Sequence, residues 1–432
     1  MKQYESYKDS GTPWIGQIPT HWELKPFKFT ARIYNGDSLD DSQKTMYMNN
    51  NDSDSIPYIA SKDVDRDSEF VDYENGLRIP LGGQGFSVAR AYTTLLCIEG
   101  GSAGKKIAFV NQPVCFVNKL CCFDSKLNDK FNYYYVCSNA FKEPFSQNLQ
   151  GMIGGVTISE IKNFSLVVPP FAEQTAIADY LDKKCGSIDK VIATQQRRIE
   201  MLGELKQSII TEAVTRGINP NAPLKDSGID WIGKIPEHWE AIPLKFTGSF
   251  GNGLTYHPED IVESDGILVL RSSNIQDDVL DFEDTVFVKS CPEFLMVRPG
   301  DIIICSRNGS ASLVGKCAMV EEEINATFGA FMMRYRPYQN PKFGFYLLQA
   351  ALKMYKGLYS TTTINQLTMG VIAQIHVAIP PIAEQTAIAE YLDRKCARID
   401  SAIAKAKREV ELLREFKQLV ITEAVTGKIK VC

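Results

Sequence analysis

The chain contains itself twice, and that constrains its fold more than any other feature. Residues 8–30, KDSGTPWIGQIPTHWELKPFKFT, recur as KDSGIDWIGKIPEHWEAIPLKFT over 225–247, identical at sixteen of 23 positions and 217 residues apart. A second block, PPFAEQTAIADYLDKKCGSID from Pro169, recurs as PPIAEQTAIAEYLDRKCARID from Pro380, a spacing of 211, and the likeness extends to ITEAVT at 210–215 and 421–426. A repeat of this length marks one structural unit made twice. The order is lead-in, variable region, helix, and then the same three again. The two variable regions share little sequence, as expected of an old duplication whose scaffold stayed fixed while its contents diverged.

Each Pro-Pro is followed by a run of good helix formers, free of internal Gly until Gly186 in the first copy. Within it Ile188, Ile192, Gln195, Ile199, Leu202, Lys206, Ile209 and Ala213 alternate at spacings of four and three. Ile399, Ile403, Ala406, Val410, Leu413, Lys417, Val420 and Ala424 occupy the corresponding places in the second copy. That is the apolar seam of a two-stranded coiled coil four heptads long. An amphipathic helix packed on a globular core is the competing reading, but two matched seams in one chain invite each other. Gln195, Lys206 and Lys417 on the seam either set its register or lie along its edge with their charges in water.

The variable regions are rich in Gly, aromatic and β-branched residues. Apolar runs at 95–98, 107–110, 302–305 and 328–335 read as strands, with turns such as Arg298-Pro299-Gly300-Asp301 between them. A small α+β domain with a curved sheet is expected in each. Gly104-Lys105 and Gly315-Lys316 recur at the 211 spacing inside GGSAGKKIAFV and GSASLVGKCAMV. Such loops are either plain hairpin turns or contacts that offer N–H groups and a cation to phosphate. Lys106 and Cys317 stand where a P-loop would need Ser or Thr, so nucleotide binding is not expected. QGMIGGVT at 150–157 answers TTTINQLT at 361–368. The shared Ile153/Ile364 and Thr157/Thr368 look structural, while Thr363, Asn365 and Gln366 offer hydroxyl and amide groups suited to an adenine edge. Arg307, beside Asn308, suits guanine. Arg271, Ser272 and Asn274 in the second region, and Ser61 with Lys62 in the first, complete the polar candidates together with Lys105, Lys106 and Lys316.

Catalytic signatures do not emerge. Val168 and Ile379 precede the Pro-Pro pairs, where an amino-methyltransferase would need Asp or Asn to accept the target amino group. His21 and His238 sit beside Trp22 and Trp239 in the repeated lead-in, which points to a matched packing role. His257 and His376 have no partners at metal-ligand spacing. Eleven cysteines without a C-x-x-C argue against a disulfide framework or zinc cage, and most are expected to be small buried apolar residues. No long apolar run or signal core appears, so no membrane association is expected and the cytoplasm is the expected compartment. Charge is the awkward fact. The net is −5, and residues 237–379 hold 11 Lys/Arg against 16 Asp/Glu. A nucleic-acid reader of this composition must cluster its cations on one face or borrow them from partners.

Taken together, the Trp-Ile-Gly-x-Ile-Pro-x-His-Trp-Glu lead-ins at 14–23 and 231–240, the Pro-Pro-x-Ala-Glu-Gln-x-x-Ile-Ala helix starts at 169–178 and 380–389, the Gly-Lys loops and the Thr-Glu-Ala-Val-Thr helix ends resemble the specificity subunit family of type I restriction–modification systems. The likeness covers nearly the whole chain. It implies an α+β fold with a pseudo-two-fold internal repeat: a target recognition domain over 1–168, a central helical region over 169–217, a second recognition domain over 218–379, and a C-terminal helical region over 380–432. The two long helices would pair antiparallel as a coiled coil. The resemblance further implies binding to double-stranded DNA at a bipartite asymmetric target. Two methyltransferase subunits would modify adenine N6 with S-adenosylmethionine, and motor-nuclease subunits would translocate and cleave. These activities and cofactors belong to the partners, and none is expected on this chain. The other readings are a coiled-coil scaffold without a nucleic-acid role and a fused methyltransferase. A helix over 186–214 spans ~44 Å at 1.5 Å per residue, or ~13 base pairs at ~3.4 Å each. Deleting one heptad from one helix is therefore expected to change the gap between the two half-sites or abolish activity, as read from the methylated positions in host DNA; an unchanged gap with full activity would remove the ruler role.

Overall fold

The strands at 302–305 show how the core is built. Every residue of Ile302–Cys305 is buried, and successive side chains enter different cores: Ile302 and Ile304 join Trp239, Tyr335 and Leu347, whereas Ile303 and Cys305 join Leu270, Phe328 and Met332. The two-residue period of a strand and a covering layer on both faces produce this pattern. Thr94–Cys97 repeats it, with Leu96 packed beside Phe27 and Phe123, and Leu95 and Cys97 beside Ile59 and Phe116.

The computed structural model describes residues 3–48, 54–66, 70–80, 85–149, 154–359 and 366–431, with 355–359 described by backbone alone. Residues 1–196 with 407–432 form one unit and residues 197–406 another. In the first unit an antiparallel sheet runs in the order Ala31–Asn35, Leu120–Ser125, Thr94–Cys97, Ile107–Phe109. In the second, Gly248–Asn252, Met332–Pro337, Ile302–Cys305 and Cys317–Met319 take the same order. A second sheet in each unit contains one parallel pair, Ser55–Ile59 with Val114–Phe116 and Ile267–Leu270 with Ala326–Phe328. The 328–335 run is thus two strands rather than one. It breaks at Gly329, whose amide bonds to the Leu270 carbonyl. At the turn over 298–301, Gly300 has φ +90° and the Asp301 N–H reaches the Arg298 carbonyl at 3.0 Å, as a Pro-Gly turn requires.

The two repeated blocks meet each other within each unit. The last strand of each variable region, Ser165–Val168 or His376–Ile379, pairs antiparallel with the lead-in strand Glu23–Pro26 or Glu240–Pro243. A long helix starts directly after each Pro-Pro pair. The buried Trp22 indole N–H donates to Glu173 Oε2 at 3.0 Å, and His21 Nε2 lies 2.7 Å from Glu173 Oε1. The buried Trp239 and His238 do the same with Glu384 at 3.0 and 2.6 Å. The next residue locks the junction: the Gln174 and Gln385 amides donate to the Pro169 and Pro380 carbonyls. The matched role expected of His21 and His238 holds, by hydrogen bonding more than by packing, since both side chains stay about half exposed.

The central helix, Phe171–Arg216, has 46 residues, and the C-terminal helix, Ile382–Val425, has 44. Each begins well before the seam expected from sequence, and the central helix passes through Gly186 unbroken. In the first unit Ile177, Leu181 and Cys185 pack with Val420, Ile421 and Val425, while Ile188 and Ile192 pack with Val410 and Leu413. Rising numbers on one helix meet falling numbers on the other, so the segments run antiparallel. The second unit repeats this, with Ile210 and Val214 against Ile388 and Leu392. All sixteen seam positions named from sequence are buried or half-buried, Ile199, Leu202, Ile209, Ile399 and Ile403 among them. The two seam lysines settle their own role. Lys417 Nζ lies 2.7 Å from Asp189 Oδ2, and Lys206 Nζ lies 2.9 Å from Asp400 Oδ1. Each pair joins a lysine in the C-terminal half of one helix to an aspartate in the N-terminal half of the other.

The C-terminus returns to the lead-in of the first unit. Gly427, at φ +74°, sits so close to Pro19 and Trp22 that a Cβ there would overlap both, and Lys428 Nζ donates to the Gln17 carbonyl at 2.7 Å. Eight of the ten described cysteines are buried and all ten are free thiols.

Two outcomes follow from this packing. Burial, the largest single influence on Glu173, pushes its carboxyl pKa up, but hydrogen bonds from His21, Trp22 and Tyr4 outweigh it and hold the pKa below the ordinary value. Its stabilisation is therefore present above the ordinary carboxylate pKa and is lost as pH falls through the depressed one. Glu173→Ala leaves the buried indole N–H without an acceptor and is expected to cost about 1–3 kcal/mol. Urea unfolding at neutral and acidic pH should show a gap between wild type and variant that narrows in acid. Asp189→Lys sets two cations together and should lower the unfolding midpoint, whereas adding Lys417→Asp should recover most of the loss in a double-mutant cycle.

Candidate nucleic-acid interface

The polar residues of the second variable region gather at one cleft of about 1050 Å³. Arg271, Ser272, Arg307 and Asn308 all line it, beside Tyr256 and Phe331. They arrive there from two strand ends. Ile267–Leu270 delivers Arg271 and Ser272, and Ile302–Cys305 delivers Arg307 and Asn308. The Asn308 amide donates to Ser272 Oγ at 3.1 Å and ties the two segments together. Arg307 is exposed, with its guanidinium 5.2 Å from the centre of the Phe331 ring, which is itself 59 % exposed. Stacking holds the cation flat without consuming its hydrogen-bond donors. Arg307 also forms an antiparallel backbone bridge with Gln366, which lies exposed at the neighbouring rim.

Two of the sequence candidates are more constrained. Arg271 is ion-paired to Asp284 at 2.7 Å, and hydrogen bonding from Arg271, followed by Ser273, holds the Asp284 carboxyl below its ordinary pKa. Asn274 is a correction to the sequence reading. It is fully buried, its amide donates to the Asp281 and Asp284 carbonyls at 3.0 and 2.7 Å, and its oxygen accepts from the Arg271 N–H. It builds the turn, and its full burial keeps it from a base. Asp63 does the same in the first unit, accepting from the Ala60 N–H at 2.8 Å.

The Gly-Lys loops are hairpin turns. Gly104 and Gly315 adopt φ +72° and +87°, and a Cβ on Gly104 would collide with the Phe145 ring. The Cys97 N–H bonds to the Lys106 carbonyl at 2.9 Å, and the Cys305 N–H to the Lys316 carbonyl at 2.8 Å. Lys316 therefore corresponds to Lys106, not to Lys105 as equal sequence spacing suggests. Lys106 Nζ donates to the Ser61 carbonyl at 2.8 Å, pinning the loop to the half-buried turn at Ser61, while Lys105 reaches the Gly101 carbonyl within its own turn. Lys62 beside them is exposed. Thr157 and Thr368 are structural as expected: each hydroxyl caps a short helix, accepting from Glu160 and Val371. Thr363, Asn365, Ile153 and Ile364 lie outside the described residues.

The 1050 Å³ cleft is lined by two arginines and no Asp or Glu. Six acids of the same unit, Asp277, Asp278, Glu321, Glu322, Asp393 and Asp400, line another depression with Lys206 and Lys342. Sequence reading missed Phe331 and Tyr256. The signal for Phe331 was an aromatic residue beside Gly329, legible only once the 328–335 run is split. Among the described residues no group of three or more His, Cys, Asp or Glu side chains could hold a metal ion.

A family profile described as the type I restriction modification DNA specificity domain matches residues 32–201 and again 237–412. The chain is 33 % identical over 206 residues to the type I restriction enzyme EcoKI specificity subunit of Escherichia coli K12, covering 46 % of this chain and 44 % of that one, so the match spans less than half of that relative. It is 26 % identical over 321 residues to the MjaVIII specificity subunit of Methanocaldococcus jannaschii, covering 71 % of this chain and 72 % of that one. A solved chain from work on the assembly and conformational transition of the type I R-M system superposes with a TM-score of 0.68 at 16 % identity, over 95 % of this chain and 99 % of that one, a likeness of fold. With its profile matched twice, once around each sheet and the helix that follows, this chain belongs to the type I restriction modification DNA specificity family.

Proposed function

We propose that this chain reads a bipartite DNA sequence for a type I restriction–modification complex and leaves the chemistry to its partners. The observation that carries the reading is a fixed frame around variable contents. The order of the antiparallel sheet, the Trp–Glu junction and the helix pairing are the same in both units, yet the loops at the strand ends differ. Residues 1–168 and 218–379 are the two reading domains, and 169–217 and 380–432 are the helical regions that space them. In the second domain Arg307, Asn308, Arg271 and Ser272 meet the bases or their flanking phosphates, with Gln366 at the adjacent rim and Lys316 on its hairpin, and Thr363 and Asn365 join them by their hydroxyl and amide chemistry. In the first, Lys62, Lys105 and Lys106 with the Ser61 turn meet the backbone. Two methyltransferase subunits and motor-nuclease subunits dock on the chain, which works in the cytoplasm and needs no cofactor of its own. No helix among the described residues is long and apolar enough to cross a membrane.

The test is selection from a randomised duplex pool by the full chain with its methyltransferase partner. Enrichment of one motif with two defined halves and a fixed gap is expected, with affinity falling as salt rises because phosphate contacts release counterions. No gapped motif would sink the reading and leave a scaffold role in its place.

A further inference from the structure

The two reading domains expose one backbone position with opposite chemistry, and sequence spacing conceals the match. Cys97 and Cys305 occupy the same place at the ends of Thr94–Cys97 and Ile302–Cys305, as their amide bonds to Lys106 and Lys316 establish. One residue on, the Ile98 N–H reaches the Lys119 carbonyl at 2.9 Å, and the Ser306 N–H reaches the Phe331 carbonyl at 3.0 Å. The Ile98 carbonyl accepts from Val156 at 3.0 Å, and that of Ser306 from Leu367 at 2.8 Å. At the following residue, Glu99 bridges antiparallel to Gly155 as Arg307 does to Gln366. The cysteine thiols each turn to the same carbonyls, Cys97 to Glu99 at 3.4 Å and Cys305 to Arg307 at 3.7 Å. Five matched contacts superpose Glu99 on Arg307 and Lys119 on Phe331. The intervals are 208 for Cys97/Cys305, 212 for Lys119/Phe331 and 211 for Gly155/Gln366, so no single register aligns them.

Both side chains are exposed at this shared place, and neither is needed for packing. An arginine held over an aromatic ring suits the O6 and N7 acceptors of guanine, whereas a carboxylate accepts from the N4 amino group of cytosine and is repelled by phosphate. We infer that Glu99 is the specificity determinant of the first domain, reading a cytosine amino group at the position where Arg307 reads guanine in the second. This rests on the proposed DNA reading, and adds which residue, which base and which half-site.

The experiment compares the base preferences of wild type, Glu99→Gln, Glu99→Ala and Arg307→Gln, each as the full chain with its methyltransferase partner, on the same randomised duplex pool. Wild type should show a C·G pair at one position of one half-site. Glu99→Ala should erase that preference by roughly 5- to 100-fold, and Glu99→Gln should shift it toward A·T, since an amide pairs with adenine. The other half-site should stay unchanged in both, and Arg307→Gln should give the reverse pattern. A wild-type motif left intact by both Glu99 variants would overturn the inference while the reading domains stand. Loss of binding uniform across all sequences would overturn it too. Absence of any wild-type motif would overturn the DNA reading itself, and this assignment with it.

Discussion

A carboxylate at the first turn of each long helix holds the rest in place. Glu173 and Glu384 accept the indole N–H of a fully buried tryptophan and face a histidine, and so fasten the lead-in of each repeat to the helix that follows its variable region. Everything between lead-in and helix becomes a closed loop anchored at both ends. Buried indole donors are expensive to leave unpaired, so the junction tolerates little change while the loop it encloses is free to vary. The junction therefore accounts for both the repeat and the divergence: two short blocks largely kept between the copies, with little shared sequence between them.

The same economy governs the helices. Packing alone would permit a seam of Ile, Val and Leu to slide by a heptad, since each step presents another apolar surface. The pairs Asp189–Lys417 and Asp400–Lys206 exclude that freedom, because a slip would strand partly buried charges. Lys206 is held protonated despite the burial that works against it, by its hydrogen bond to Asp400 and by the nearby Asp278. The second of these lies on the turn between Ile275–Gln276 and Val279–Leu280, so the variable region itself leans on the ion pair.

Much of this architecture was legible in the sequence because it obeys strict periodicities. The seam showed as a three-four alternation, the strand at 302–305 as an apolar run, and the duplication as identity at fixed spacing. Contacts that join distant segments were not legible. Both halves of the Trp–Glu junction stood in plain view as separate repeats, with no indication that they touch. Asn274 read as a polar candidate because nothing local reveals that carbonyls from 281 and 284 consume its amide. The equivalence of Glu99 and Arg307 was hidden by insertions of a residue or two, which shift spacing while leaving the hydrogen-bond ladder intact. Loop chemistry varies where the frame has least to say about it.

The return of the C-terminus to the first lead-in also sets a timetable. Val420, Ile421, Ala424 and Val425 fill the core beneath Trp22, and Gly427 and Lys428 close against Pro19 and Gln17. The first unit is begun first, yet its core gains these side chains only after residues 197–406 have been made. The second unit, continuous from 197 to 406, meets no such delay. The first unit's core is therefore closed by a segment made after the whole of the second, which ties the folding of one repeat to the synthesis of the other.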